Sequence, residues 1–208
     1  MGEALTFYTN PMSRGRIVRW MLEEVGQPYN TVVLDYGTSM KAPEYLAINP
    51  MGKVPAIKHG KAIVTECAAI CAYLAEAFPL AGLAPPPAER AAYYRWLFFA
   101  AGPLEQAVVN RALAVAVPAD KRAMVGYGAM EDVLNTLEQR LLESPYFSGS
   151  AFSAADVYVG AQIGWGVQFG TIDARPAFVD YVAKINARPA YQRAVQRDDA
   201  LVGAGEQA

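Results

Sequence analysis

The sequence predicts an α/β N-terminal part ordered βαβ then ββα, followed by an all-helical C-terminal part. Three observations predict it. Short apolar runs of strand length occur only before Glu66. The apolar residues beyond Glu89 recur at helical spacing. Four prolines fall between Pro79 and Pro87, where the pattern changes.

Leu5 to Tyr8 reads as the first strand and Ser13 to Val25 as the first helix. Ile17, Met21 and Val25, with Val18 and Leu22, make one apolar face, and Arg14, Arg16, Arg19, Glu23 and Glu24 are expected in water. Gly26-Gln27-Pro28 stops the helix, since Gly accepts the left-handed end and Pro cannot continue it. Tyr29 to Asp35, rich in Thr and Val, is a second strand, and strand, helix and strand together favour a parallel pair. After a polar stretch, Val54 to Lys58 and Lys61 to Val64 read as two short strands with His59-Gly60 as the turn between them. Thr65 is the expected cap of a helix over Glu66 to Phe78, with Ala69, Tyr73, Ile70 and Leu74 as its apolar stripe. The expected domains are 1–80, a Pro-rich linker over 81–88, and a helical domain over 89–208. Its helices read as Glu89 to Ala116, Lys121 to Glu143, Ala154 to Phe169, and Pro176 to Arg197 interrupted at Pro189.

Composition excludes several classes of function. The 208 residues are 53% hydrophobic and 18% charged, enough apolar material for a core and too few charges for a disordered chain. Eighteen Lys+Arg against 20 Asp+Glu leave a formal charge of -2, with no basic footprint for nucleic acid. Two Cys cannot build a disulfide scaffold, and one His leaves too few ligands for a metal site. No run approaches the about 18 apolar residues of a membrane span. A cytoplasmic location, without membrane or nucleic-acid partners, is the expectation.

Chemistry could sit in three places. The first is Tyr8-Thr9-Asn10-Pro11-Met12-Ser13-Arg14, between the first strand and the first helix. Open α/β sheets place ligands at carboxyl ends of strands, and a helix N-terminus favours an anion. Ser13 is either a donor to that anion or an ordinary helix cap. The second is Asn49-Pro50-Met51-Gly52-Lys53-Val54-Pro55-Ala56, where a proline opening an apolar run marks an edge or a turn that presents its backbone. The third is Thr65-Glu66-Cys67: Glu66 either complements the helix dipole or faces a ligand amine. Cys67 and Cys71 lie four apart on one helix, unlike the Cys-x-x-Cys of a redox motif, and read as small buried apolar residues. His59, read at a turn, is poorly placed for a Ser-His-Asp triad.

Taken together, these motifs resemble cytosolic glutathione S-transferases of the bacterial, serine-dependent kind. The resemblance rests on Ser13-Arg14, on Asn49 to Ala56, on Thr65-Glu66-Cys67 before Tyr73-Leu74, and on the capping box Phe152-Ser153-Ala154-Ala155-Asp156. It spans essentially the whole chain and implies a thioredoxin-like first domain, a helical second domain and a homodimer. It implies a cis Pro55, with Val54 pairing its backbone to the cysteinyl part of glutathione. Lys53 would hold the glycine carboxylate, and Glu66 and Cys67 the γ-glutamyl end. Ser13 would donate to the sulfur, with Tyr8, Asn10 and Arg14 as further candidates, because many serine-type relatives align their serine with Met12. Most relatives also carry Ser at the place of Cys67.

The implied activity is attack of the glutathione thiolate on a small apolar electrophile, with glutathione as co-substrate and no metal. Met12, Tyr93, Trp96 and Phe99 are the candidate acceptor-pocket residues, drawn partly from an aromatic cluster early in the helical part. Two alternatives stand beside it: glutathione-dependent reduction of peroxides or disulfides, and a non-enzymatic ligand carrier or interaction module on the same fold.

Overall fold

The computed structural model describes residues 3–205. The chain groups into two units, one running to Leu83 and including the chain from Arg188 onward, the other Ala84–Ala187.

In the first unit the strands form a four-stranded sheet among the described residues, in the order β2-β1-β3-β4. Strand β1 (Leu5–Thr9) pairs parallel with β2 (Asn30–Val33) and antiparallel with β3 (Ala56–His59), which pairs antiparallel with β4 (Ala62–Thr65). Alternation along β1 buries Leu5, Phe7 and Thr9 beneath the helices and turns Tyr8 to the other face. Helices α1 (Gly15–Val25) and α3 (Cys67–Ala77) pack together. The stretch read as merely polar holds a 3-10 turn at Ser39–Lys41 and the single turn α2 (Pro43–Leu46). Through it Leu34, Met40, Tyr45 and Ala56 form a small core that Tyr8, Val32, Ile48 and Val54 flank.

Several local expectations are corrected. His59 pairs with Ala62, so the hairpin turn is Gly60-Lys61 rather than His59-Gly60, and Gly60 supplies a φ of +57°. Thr65 ends β4 and does not cap α3; the residue at the helix boundary is Glu66, and no side chain caps it. The buried stripe of α3 is Cys67, Ile70, Cys71, Leu74 and Ala75, whereas Ala69 is exposed and Tyr73 half-buried.

The largest departure is on α1. Arg19 and Glu23, expected in water, are only 2% and 7% exposed. The cause is the last helix, α9 (Pro189–Gly205), which lies along α1 within the first unit. The sequence reading carries the helical part through 89–208, but the chain rejoins the first unit at Arg188. Arg19 Nε donates to Asp198 at 3.0 Å, and its Nη1 to Tyr29 and Thr31. Glu23 accepts from Tyr29, Arg193 and Arg197, and Glu24 from Trp20 and Arg188. Trp20 stacks edge-on against Tyr191.

The second unit is helical: α4 (Arg90–Phe99), α5 (Glu105–Ala112), α6 (Met130–Glu143), α7 (Ala154–Gln168) and α8 (Pro176–Asn186). The helix expected from Glu89 to Ala116 is broken by a π-type turn at Ala100–Leu104. Pro103 has no N–H for the helical ladder, and Gln162 donates to the carbonyl of Ala100 at 3.2 Å. The helix expected from Lys121 begins only at Met130: residues 119–124 form a 3-10 turn, and Gly126 and the left-handed Gly128 (φ +67°) separate it from α6. The capping box that opens α7 forms, with Ser153 N–H donating to Asp156 at 2.9 Å.

Candidate functional site

Strand register alone gathers the three motif segments. Tyr8 lies opposite Ala56, and Ala56 opposite Thr65. The loop leaving β1, the residues entering β3 and those leaving β4 therefore share one end of the sheet, the carboxyl end of β1. A direct contact joins two of them: the Cys67 thiol lies 3.6 Å from the carbonyl of Arg14, to which it donates.

The first loop is held from both sides. Asn10, 9% exposed, donates its amide to the carbonyl of Leu34 at 2.9 Å and accepts from the Met12 N–H at 2.9 Å. Arg16 Nε donates to the carbonyl of Pro11 at 2.6 Å. Gly15 lets helix α1 start against the sheet, since a Cβ there would stand 2.0 Å from the Thr9 hydroxyl oxygen. Ser13 is tied to this helix start. Its oxygen accepts from the Gly15 N–H at 2.9 Å, and its proton goes to the carbonyl of Asn10 at 2.7 Å. The received N–H fixes the oxygen and polarises its O–H. The first turn of α1 carries no acidic residue, so the positive end of its dipole is uncompensated by its own side chains.

The second segment is braced from beneath. Tyr45 O–H and Asn49 Nδ2 both donate to the carbonyl of Lys53, at 2.6 and 2.8 Å. Burial pushes the Tyr45 phenol up to about 12, outweighing the lowering effect of its bond with Asn49. It stays a donor throughout the neutral range. The next peptide, Val54-Pro55, is cis, as the resemblance implies. Among the described residues no hydrogen bond engages the half-buried Val54 backbone, and the exposed Lys53 ammonium has no ion-pair partner. Gly52 closes the loop before them at a φ of +56°, where a Cβ would meet the carbonyl of Met40 at 2.7 Å.

At the third segment, Glu66 adopts a φ of +67° and ψ of 120°, a left-handed geometry that a non-glycine residue rarely takes. Its carboxylate is exposed and without an ion-pair partner among the described residues. The chain turns there so that α3 starts with its N–H groups facing the same end of the sheet. Cys67 is buried at the first position of α3. Cys71, one turn on, is wholly buried, and desolvation holds its thiol well above the ordinary value.

The remaining sequence candidates fall elsewhere. Tyr8 packs on Tyr45, ring centroids 5.5 Å apart, on the far face of the sheet from α1. Arg14 and Met12 are exposed on the loop. In the helical unit Tyr93 and Trp96 are core residues, Trp96 lying against Phe147 at 5.0 Å. Phe99 is half-buried beside Trp96, and Phe98 is 73% exposed. His59 hydrogen-bonds Tyr73 at 3.0 Å and packs on Phe78. Sequence reasoning missed Tyr45 and Arg16, which support the site without belonging to its motifs, and gave Asn49, which opens the second motif, no role of its own. Two surface cavities, of about 470 and 440 Å³, share Gln27, Pro28 and Tyr29 and lie away from these segments. Among the described residues no group of three or more His, Cys, Asp or Glu could hold a metal, and no helix is long and apolar enough to cross a membrane.

The site thus offers two helix N-termini, a backbone pair free to extend the sheet, and an unpaired cation and carboxylate. That combination suits a short zwitterionic ligand with a peptide backbone.

Comparison with known proteins agrees. Residues 7–86 match the family model for the glutathione S-transferase N-terminal domain. A disulfide-bond oxidoreductase of Escherichia coli, YfcG, is 31% identical over 206 residues, covering 92% of this chain and 94% of its own. Glutathione S-transferase 3 of Zea mays is 29% identical over 92% of this chain and 93% of its own. A glutathione transferase homologue from Sulfitobacter, solved with bound glutathione, is 29% identical over 93% of this chain and 98% of its own, with a TM-score of 0.75. The match of residues 7–86, and a probable glutathione S-transferase of Oryza sativa subsp. japonica that is 30% identical over 83% of this chain and 86% of its own, agree with the convergence of the three motif segments: this chain belongs to the glutathione S-transferase family.

Proposed function

We propose that the protein is a glutathione transferase of the serine-dependent kind, in which Ser13 donates to the glutathione sulfur. The observation that carries this reading is the Ser13 hydroxyl at the start of α1, its oxygen held by the Gly15 N–H and its proton free to turn from the carbonyl of Asn10 to an incoming thiolate. A thiol with a pKa of about 8.5 is a weak nucleophile at neutral pH, because the thiolate reacts. Lowering that value by about two units needs about 2.7 kcal/mol of preference for the anion. A hydrogen bond to a charged acceptor contributes about 1.5–3 kcal/mol, and a helix N-terminus about 0.3–2 kcal/mol. The hydroxyl gives up a neutral carbonyl to gain the thiolate, so the difference between the two bonds is what counts. With about 1 kcal/mol for the neutral bond the difference is about 0.5–2 kcal/mol, and the α1 dipole brings the sum to about 0.8–4 kcal/mol, a range that contains the required value.

In this reading Val54 pairs its free N–H and C=O with the cysteinyl residue, Lys53 meets the glycine carboxylate, and Glu66 meets the γ-glutamyl ammonium. The carboxylate of that end takes the first N–H groups of α3, with Cys67 giving a weaker side-chain bond than a serine would. The acceptor is a small apolar electrophile, with Met12, exposed on the loop beside Ser13, as its contact on the first unit. The working particle is a cytoplasmic homodimer, which its mass in solution tests.

Titrating bound glutathione by thiolate absorbance tests the assignment. The expected result is a bound thiol pKa well below that of free glutathione, and for Ser13→Ala a return toward the free value with a fall in kcat of about 10- to 100-fold. An unshifted thiol in the native protein overturns the reading.

The YfcG relative favours a second activity, glutathione-dependent disulfide reduction at the same site. Because Cys67 and Cys71 are both buried, such a reduction would run on glutathione thiols rather than on a protein dithiol. Comparing turnover of an activated aryl chloride with that of a small disulfide separates the two.

A further inference from the structure

The loop that carries Ser13 is tied to the far end of the chain. Arg16 Nε donates to the buried Pro11 carbonyl at 2.6 Å, and its Nη2 pairs with Asp199 of α9 at 2.8 Å. One guanidinium therefore bridges the loop and the last helix. Asp199 is held in place because α9 is itself fixed on α1, through Arg19 and Asp198, Glu23 with Arg193 and Arg197, and Glu24 with Arg188. Opposite Arg16, the loop is gripped by Asn10, which reaches the Leu34 carbonyl, and by Tyr36 O–H, which donates to the Met12 carbonyl at 3.3 Å. Pro11 has no N–H, so its carbonyl is the group through which its peptide can be held.

We infer that Arg16 is a positioning residue for the thiol-binding loop, and that Asp199 of α9 sets its reach. The proposal rests on the reading that Ser13 serves the glutathione sulfur. Arg16 does not touch the thiol. It fixes the Pro11 peptide, and through it the distance from Ser13 to the sulfur at the start of α1. A planar fork is suited to this, because two donors on one rigid group face two acceptors at once; lysine, a point charge on a flexible stem, can satisfy one or the other.

Arg16→Gln and Asp199→Asn, with Arg16→Lys as a rescue, test it by hydrogen exchange and by thiol titration with kinetics. In the ligand-free protein, hydrogen exchange at the amides of Met12 and Gly15 is expected to speed up several-fold in Arg16→Gln and less in Asp199→Asn. With glutathione bound, Arg16→Gln is expected to raise the thiol pKa and lower kcat about tenfold while the KM for glutathione changes less than about threefold. Asp199→Asn follows in the same direction with about a threefold effect, and Arg16→Lys recovers part of the loss. Because Asp199 is 59% exposed, its variant is expected to melt close to the native protein. Unchanged exchange and an unchanged thiol titration in both variants overturn the inference. A native protein that leaves the thiol unshifted, with exchange still accelerated in the variants, overturns the transferase reading and leaves the tether standing.

Discussion

Glu66 shows how a single residue can be placed against its own preference. A non-glycine side chain at a φ of +67° costs of order 1–3 kcal/mol, and the turn is kept because it aims both the carboxylate and the start of α3 toward one end of the sheet. Glu66→Gly is expected to relieve the strain. In urea unfolding its stability should match or exceed the native value by up to about 1 kcal/mol, while the KM for glutathione rises several-fold. A variant that is clearly less stable would mean that the carboxylate holds the fold rather than the ligand. Ser13 is the converse case. Its hydroxyl is satisfied by its own chain, so the same atom serves as helix-start ligand and as candidate thiol donor. The helix boundary falls at Arg14 and no side chain caps it, so Ser13 is not the cap that the sequence offered, although its oxygen receives the Gly15 N–H.

At the level of elements, the contact between α1 and α9 differs most from a sequence-only picture. Arg19 and Asp198 form a pair that is almost wholly buried, with side chains 3% and 1% exposed, and the guanidinium also lies 5.0 Å from the centre of the Phe7 ring. Burial pushes the Asp198 carboxyl up even though Arg19 pulls it down. Removing one partner strands a charge in the interior. Asp198→Ala is therefore expected to cost about 3–5 kcal/mol in denaturant unfolding, whereas the double replacement Arg19→Met with Asp198→Leu should recover most of that loss. A double variant no better than the single one would show that the pair stabilises the fold itself. The α7 capping box makes a related point. Asp156 does accept from Ser153, as the motif suggests, but it also accepts from the Phe147 N–H and the Tyr181 O–H, each at 2.8 Å. The motif identified the cap, and only packing revealed that this carboxylate joins α7, α8 and the turn before them.

For the molecule as a whole, the chain starts one unit, builds a second, and returns at Arg188 to finish the first. A chain ending at Ala187 would leave Arg19 and Glu23 without their α9 partners, Glu24 without Arg188, and expose Trp20 where Tyr191 now packs. Such a chain is expected to lose its cooperative unfolding transition or to aggregate, as read by circular dichroism and size-exclusion chromatography. A monodisperse particle with a native-like transition would refute that account of α9.

What the sequence by itself determined is local. The order βαβ then ββα, the helix stop at Gly26, the motifs at Ser13, Val54-Pro55 and Glu66, and the α7 capping box are each encoded within a few residues. Turn chemistry, proline geometry and apolar period act over that range. What only the tertiary structure decided are the effects of residues far apart in the chain. Arg19 and Glu23 look like solvated charges until α9 covers them. Tyr45 and Asn49 brace the Lys53 carbonyl only once α2 folds beneath the sheet, and Asp199 reaches Arg16 only after the chain has completed the helical unit. Periodicity reports which face of an element is apolar; it carries no information about which distant polar groups will neutralise one another, because that depends on desolvation and on partners brought together by folding.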